Sequence, residues 1–145
     1  MGEAGSRAWL QELSAGISAV PFTPHVAVVR SGTGNFARFL EAYAEHYEAR
    51  LGVRLFPGTL NLELREPWSV PAGAQRFDPA EYPGTVGVWL VPCRLFGRPA
   101  LVLRTDANEL GRGDHPATIV EIAAPTHLRR ALGLSDGSHV PVELP

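Results

Sequence analysis

The chain has 145 residues, which is the size of one ordinary domain. Hydrophobic residues make up 45% of it and charged residues 19%, so a packed globule is expected rather than a disordered chain. The net charge of −2 gives no overall basic field and argues against nucleic-acid or anionic-membrane binding. No apolar run approaches the roughly 20 residues that span a bilayer, and the first residues lack a signal-peptide pattern. We therefore expect a cytoplasmic monomer without nucleic-acid or membrane partners.

The first half of the chain predicts two helices and two strands. Residues 6–16 form a short amphipathic helix within an N-terminal extension, residues 1–24, that precedes the main domain, residues 25–145. Residues 25–30 are a buried-type strand, and the Gly-rich loop Ser31-Gly32-Thr33-Gly34-Asn35 leads into a helix that Asn35 caps and Gly52 ends. Leucines alternate over residues 60–64, which predicts a strand, and residues 66–82 are a proline-rich surface excursion.

The second half predicts mainly strands. Residues 85–95 and 99–105 form a hairpin, residues 106–117 a mobile polar loop, and residues 118–123 and 140–144 two further strands around a helix that Pro125 opens. Cys93, the only cysteine, lies in a strand-like run, so a packed core thiol is favoured over a catalytic one. About six strands with two or three helices predict a mainly β fold with helical inserts, either a small barrel or a sharply curved sheet.

Two glycine-anchored segments are candidates for a phosphate site. The loop at residues 31–35 lies between a strand and a helix N-terminus, where backbone N–H groups favour an anion. An ordinary Gly-rich turn without a ligand is the alternative for the same sequence. In Gly58-Thr59-Leu60-Asn61, Thr59 and Asn61 project from one face of a strand and offer two oxygens suited to Mg²⁺ carried by a nucleotide. The alternative is a capped turn that enters a strand.

A third candidate segment surrounds Glu121. This carboxylate interrupts an apolar strand, so it either faces solvent or is a polar group in a pocket. Arg129 and Arg130 follow on a helix and either contact phosphates or form a solvated face. The five histidines lack zinc-site spacing, and no GxSxG motif is present.

Taken in order, these motifs resemble the archaeal-type CTP-dependent riboflavin kinases over about residues 25–144. The resemblance is carried by Ser-Gly-Thr-Gly-Asn-Phe at 31–36, Leu-Gly at 51–52, Phe-Pro-Gly-Thr-Leu-Asn-Leu at 56–62, Arg-Thr at 104–105, Glu-Ile-Ala-Ala-Pro at 121–125, Leu-Arg at 128–129 and Leu-Ser-Asp-Gly at 134–137. It implies a small six-stranded cradle-loop β-barrel. It also implies transfer of the γ-phosphoryl group of CTP to the 5′-hydroxyl of riboflavin, giving FMN and CDP.

The resemblance also implies roles for individual residues. Mg²⁺ would be held by Thr59 and Asn61, and the flavin or its ribityl chain by Thr105, His115 and Glu121, with Glu121 the candidate catalytic residue. Trp89, Phe56 or Tyr82 are candidates to line the ring pocket, although core packing is favoured for each. The nucleotide would be bound by Ser31, Gly32, Thr33, Gly34, Asn35, Phe36, His127, Leu128, Arg129, Arg130, Ala131 and Leu132.

One departure affects the acceptor half of this site. The connection from Thr105 to Glu121 is longer than the family usually has, because residues 106–114 look inserted, which puts the role of Thr105 in question. Two alternatives to the riboflavin kinase therefore stay open, a kinase on the same barrel with a changed acceptor and a non-catalytic nucleotide- or flavin-binding module. A DNA-binding barrel is disfavoured by the near-neutral charge.

Overall fold

A computed structural model describes residues 13–32, 35–81 and 86–145. The described residues form seven strands, four α-helices and two short 3₁₀ turns, Ala15–Ile17 and Pro79–Glu81. The strands are β1 (Thr23–Arg30), β2 (Leu60–Glu63), β3 (Gln75–Phe77), β4 (Val88–Leu95), β5 (Arg98–Thr105), β6 (Ile119–Ala123) and β7 (His139–Leu144). The helices are α1 (Asn35–Ala42), α2 (Ala44–Leu51), α3 (Asp106–Glu109) and α4 (Leu128–Leu132).

Six of these strands close into an antiparallel barrel. Their order is β4-β5-β6-β2-β1-β7, and β7 pairs with β4 through Arg94 opposite Glu143 and Leu95 opposite Val142. Closure leaves these six strands without a free edge. The predicted six-stranded barrel is thereby confirmed.

Two apolar clusters lie on opposite faces of the barrel wall. Along β5, Val102 belongs to the cluster inside the barrel, whereas Leu101 and Leu103 belong to the cluster that packs under α1 and α2. This alternation follows from the two-residue period of a strand. Cys93 is buried in the inner cluster, as predicted, and burial raises the pKa of its thiol.

The predicted helix begins at Asn35 itself rather than after it, so the prediction of Asn35 as the cap was wrong, and the helix is interrupted. Tyr43 separates α1 from α2 with φ −113° and ψ 24°, while Gly52 ends α2 at φ 74° as predicted. The Phe39 ring contacts the Tyr43 and Tyr47 rings at centroid distances of 4.8 and 6.1 Å. The aromatic spacing thus continues across the break, so the sequence pattern does not indicate it.

The segment predicted as a surface excursion is partly built into the fold. It contains β3, which pairs with β4 outside the barrel, and the buried Trp68, whose Nε1 donates to the backbone oxygen of Pro145 at 2.9 Å. The prediction of an irregular surface segment was therefore wrong over these residues. A three-residue strand is too short to give a visible alternation.

The described part of the N-terminal extension packs on the barrel. Leu13 and Ile17 are buried, one in each apolar cluster, and β1 already begins at Thr23. Residues 6–12 of the predicted helix lie outside the described residues. The division of the chain at residue 24 stays a prediction.

Candidate functional site

Three side-chain oxygens meet at the end of β2. Asn61 on β2 lies opposite Glu121 on β6, and Thr59 immediately precedes the strand. Thr59 Oγ1 donates to Glu121 Oε1 at 3.2 Å and lies 3.4 Å from Asn61 Oδ1. The strand register thus brings together the predicted metal pair and the predicted catalytic carboxylate.

Glu121 points into a pocket rather than to solvent. It is 9% exposed, and burial raises its pKa from an ordinary 4.5 to about 7. The hydrogen bond from Thr59 and the charge of Arg104 oppose this rise in pKa, while the charge of Asp114 adds to it. Near neutral pH the carboxyl group is therefore present in both protonation states, as a proton-transfer group requires.

One side of Glu121 opens into a polar cavity of about 280 Å³. Gly32 comes so close that a Cβ built on it would lie 2.0 Å from Asn61 Nδ2, so a larger residue here would displace the Asn61 carboxamide. Thr33 and Gly34 of the predicted loop lie outside the described residues, as does the side chain of Asn35. The residues that line the polar cavity are Arg30, Ser31, Gly32, Ala37, Gly58, Thr59, Asn61, Glu121 and Arg129.

Asp136 links two sides of the polar cavity. Ser31 Oγ donates to its carboxylate, and Arg129 Nη2 donates to Asp136 Oδ1 at 2.6 Å and to the backbone oxygen of Arg30 at 3.2 Å. The hydrogen bonds from Ser31 and Arg129 lower the pKa of Asp136. Sequence reasoning assigned Asp136 no role, because its contact with Ser31 spans 105 positions of the chain.

The residues of α4 and its cap that were predicted to contact the nucleotide, apart from Arg130, line two different cavities. His127 caps the helix, its Nδ1 accepting from the Arg130 N–H at 3.2 Å, and its ring lies 4.7 Å from that of Phe56. A small cavity of about 120 Å³ between these rings shares Gly58, Thr59 and Arg129 with the polar cavity. Arg130 is exposed, and Ala131 and Leu132 instead line a separate groove with Leu95 and Pro99.

The other side of Glu121 opens into a mainly apolar cavity of about 330 Å³. Thr105 and His115, predicted to contact the acceptor, both line it, and so does Phe36, which was predicted to contact the nucleotide. Phe39 also lines it and was not predicted, whereas Phe56 lies at the small cavity and Trp89 packs against the inner core. Tyr82 lies outside the described residues.

Residues 106–115 form much of one wall of this apolar cavity. The prediction of a mobile loop without regular structure was incomplete, because the segment contains α3, capped by Thr105 Oγ1, which accepts from the Asn108 N–H at 3.0 Å. Short polar segments with glycines resemble loops in sequence even when they fold on themselves.

The oxygens of Thr59, Asn61 and Glu121 fit a hard divalent cation. Over residues 13–32, 35–81 and 86–145, no cluster of three or more His, Cys, Asp and Glu side chains could hold a metal ion. A cation here would be coordinated by the neutral Thr59 and Asn61 oxygens and by Glu121, and the phosphate groups of a bound nucleotide would supply further oxygens. In the described part of the chain, no helix is long and apolar enough to cross a membrane.

The chain is similar in sequence to known riboflavin kinases. The sequence model of the CTP-dependent riboflavin kinase family (CTP-dep_RFKase, domain of unknown function DUF120) matches residues 29–144. A riboflavin kinase of Methanocella arvoryzae is 35% identical over 117 residues, covering 78% of this chain and 52% of that protein. The riboflavin kinase of Thermococcus kodakarensis is 35% identical over 127 residues, covering 82% of this chain and 57% of that protein. The riboflavin kinase of Methanopyrus kandleri is 32% identical over 119 residues, covering 78% of this chain and 77% of that protein.

The chain thus spans about half the length of the first two relatives and most of the third. The match of the family model includes five strands of the barrel in full and only the last two residues of β1. It also includes both cavities that meet at Glu121. The chain belongs to the CTP-dependent riboflavin kinase family.

Proposed function

We propose that this protein is a CTP-dependent riboflavin kinase, which transfers the γ-phosphoryl group of CTP to the 5′-hydroxyl of riboflavin and yields FMN and CDP. The observation that carries the proposal is the position of Glu121 between a polar and an apolar cavity. A phosphoryl transfer requires a charged donor and an acceptor alcohol to meet at one point. The two cavities match those two chemistries.

The donor would occupy the polar cavity. Ser31 and Gly32 would approach its phosphates from one side and Arg129 from the other. Residues 33–35 and, at the adjoining small cavity, His127 and Leu128 would contact the rest of the nucleotide. Thr59 and Asn61 would hold Mg²⁺, which when bound neutralises charge on the phosphates. Because both ligands are neutral, much of the attraction for Mg²⁺ would come from the nucleotide.

The acceptor would occupy the apolar cavity, with the flat ring beside Phe36 and Phe39 and the ribityl chain directed toward Glu121. Thr105 and His115 would contact the flavin. The 5′-hydroxyl oxygen forms a bond to the γ-phosphorus, the bond from phosphorus to the β–γ bridging oxygen breaks, and CDP leaves. The hydroxyl proton passes to the Glu121 carboxylate, whose pKa of about 7 suits a general base.

A kinase with a changed acceptor is the second candidate, favoured by residues 106–115, which supply half of the residues around the apolar cavity. For either kinase we expect a cytoplasmic monomer that needs no nucleic-acid or membrane partner.

A turnover assay separates these functions. Riboflavin and Mg²⁺ are offered with CTP, ATP, GTP or UTP in parallel, and FMN is separated chromatographically. FMN formation that is fastest with CTP is the expected result. Turnover of other alcohols but not riboflavin would favour the changed acceptor, and ligand binding without turnover would favour a non-catalytic module.

Two variants test the site itself. Thr59→Ala and Asn61→Ala should lose activity by about 10²-fold or more, because each removes an oxygen that would position the metal and the phosphates. Thr23→Ala, an exposed position at the start of β1, is the matched control and should retain activity. Full activity in both Thr59→Ala and Asn61→Ala would overturn the metal site.

A further inference from the structure

We propose that residues 106–115 form a fixed wall that selects the acceptor, and that Glu109 is the residue that positions this wall. The inference rests on the proposed function and goes beyond it, because it assigns acceptor selectivity to this segment. The wall supplies half of the residues that line the apolar cavity. These are Ala107, Asn108, Arg112, Gly113, Asp114 and His115.

The wall is folded on itself. The N–H of Arg112 donates to the backbone oxygen of Ala107 at 2.7 Å, and the N–H of His115 donates to Asn108 Oδ1 at 3.4 Å. Gly113 packs so tightly that a Cβ built on it would lie 1.6 Å from Asn108 Oδ1 and 2.8 Å from the Asn108 nitrogen. A methyl group at residue 113 would therefore disturb this turn.

Glu109 fastens the wall to the barrel. Its Oε1 accepts from Arg104 Nη1 at 3.2 Å and its Oε2 from the Val70 N–H at 3.0 Å. Arg104 is 2% exposed and also donates to the backbone oxygens of Trp68 and, at 2.9 Å, Ile119. One carboxylate thus joins α3, β5 and the segment after β2.

The same cavity is also lined by Phe36, Phe39 and Val88, which supply aromatic and aliphatic surface. A wall held in place in a cavity that also contains these aromatic rings would favour a flat ring, and Arg112 and His115 supply polar groups in the same cavity. The chemical class that fits is an alcohol attached to a flat heteroaromatic ring with hydrogen-bonding edges. Preorganisation of the wall lowers the cost of ordering it when this acceptor binds.

The test compares Glu109→Gln with Glu143→Gln in the full chain. Gln keeps the size of Glu109 but removes the charge that Arg104 pairs with, whereas Glu143 belongs to an exposed pair with Arg94 outside both cavities. In Glu109→Gln we expect KM for riboflavin to rise about tenfold, and KM for CTP to change by less than about twofold. Amide hydrogen exchange over residues 107–115 should become faster, with no such change in Glu143→Gln.

Gly113→Ala is the second variant, because it disturbs the wall and leaves the pair of Glu109 and Arg104 intact. It should reproduce the selective rise in KM for riboflavin even if Glu109→Gln folds poorly. Equal rises in both KM values, or unchanged exchange over residues 107–115 in both variants, would overturn the proposal.

Failure of the proposed function has a different signature. In that case the wild-type protein makes no FMN with any triphosphate. The KM comparison is then replaced by titrations that measure riboflavin binding through the fluorescence of riboflavin. A riboflavin Kd raised about tenfold in both variants would support the wall, and an unchanged Kd would overturn it.

Discussion

The substitution Glu121→Gln should make the protein more stable at alkaline pH while it removes activity. Glutamine keeps the shape of the side chain and can still accept from Thr59, but it cannot ionise. Burial makes the folded protein hold the Glu121 proton more tightly than the unfolded chain does. The stability that this proton provides is present below pH about 4.5 and is lost as pH rises toward about 7.

The size of the effect follows from the two pKa values. A difference between 4.5 in the unfolded chain and about 7 in the folded protein corresponds to about 3 kcal/mol, at about 1.4 kcal/mol for each pKa unit. The free energy of unfolding of Glu121→Gln, relative to the wild type, should therefore rise by up to about 3 kcal/mol between pH 4 and pH 8.5. Urea denaturation at several pH values, followed by tryptophan fluorescence, measures this difference.

Glu143→Gln is the matched control, because it removes a carboxyl group from an exposed ion pair and should give a much smaller trend with pH. The same Glu121→Gln protein should lose about 10²- to 10⁴-fold in turnover if Glu121 is the general base. A stability difference that does not vary with pH would refute the reasoning about burial. Retained turnover would refute the proton-transfer role alone.

Three further predictions concern the polar cavity. Gly32→Ala should lower activity with CTP by about tenfold or more, because the added Cβ displaces the Asn61 carboxamide. Steady-state kinetics measure this loss, and unchanged KM and kcat would contradict the prediction. Asp136→Ala should raise KM for CTP by roughly threefold to tenfold with little change in kcat, since Ser31 and Arg129 lose their shared acceptor. A fall in kcat alone would argue against a role of Asp136 in positioning Ser31 and Arg129. Calorimetry should find weak Mg²⁺ binding to the free protein and much tighter binding with CDP, whereas tight binding without nucleotide would contradict a site of neutral ligands.

Much of the barrel could be predicted from the sequence because its strands are continuous apolar runs bounded by glycine and proline. The inner face of β5, for example, is formed by alternate residues such as Val102, and the hairpin before it has a clear turn at Gly97. The short strand β3 and the break at Tyr43 could not be predicted. Both depend on tertiary contacts that leave no local pattern.

The site divides in the same way. Thr59 and Asn61 could be placed together because residues two positions apart along a strand share a face. Glu121 was a candidate because burying a carboxylate in an apolar strand is costly unless the carboxylate has a partner or a function. Asp136 and Glu109 could not be identified in this way. Each acts through a partner whose distance along the chain carries no periodic signal, Ser31 for Asp136 and Val70 for Glu109.

The near-neutral pKa of Glu121 is a balance set by the fold rather than by neighbours in sequence. Burial by the closed barrel raises it, and the Thr59 hydroxyl and the Arg104 charge pull it back. Arg104 is itself buried, which lowers the pKa of its guanidinium, and the pair with Glu109 opposes that lowering. The guanidinium remains charged in either case. The carboxylate that positions the acceptor wall thus also contacts the guanidinium whose charge lowers the pKa of Glu121. Because Arg104 stays charged without its partner, Glu109→Gln should weaken acceptor affinity selectively and leave the pH at which turnover is half-maximal close to that of the wild type. A large rise in that pH would contradict this view of Arg104.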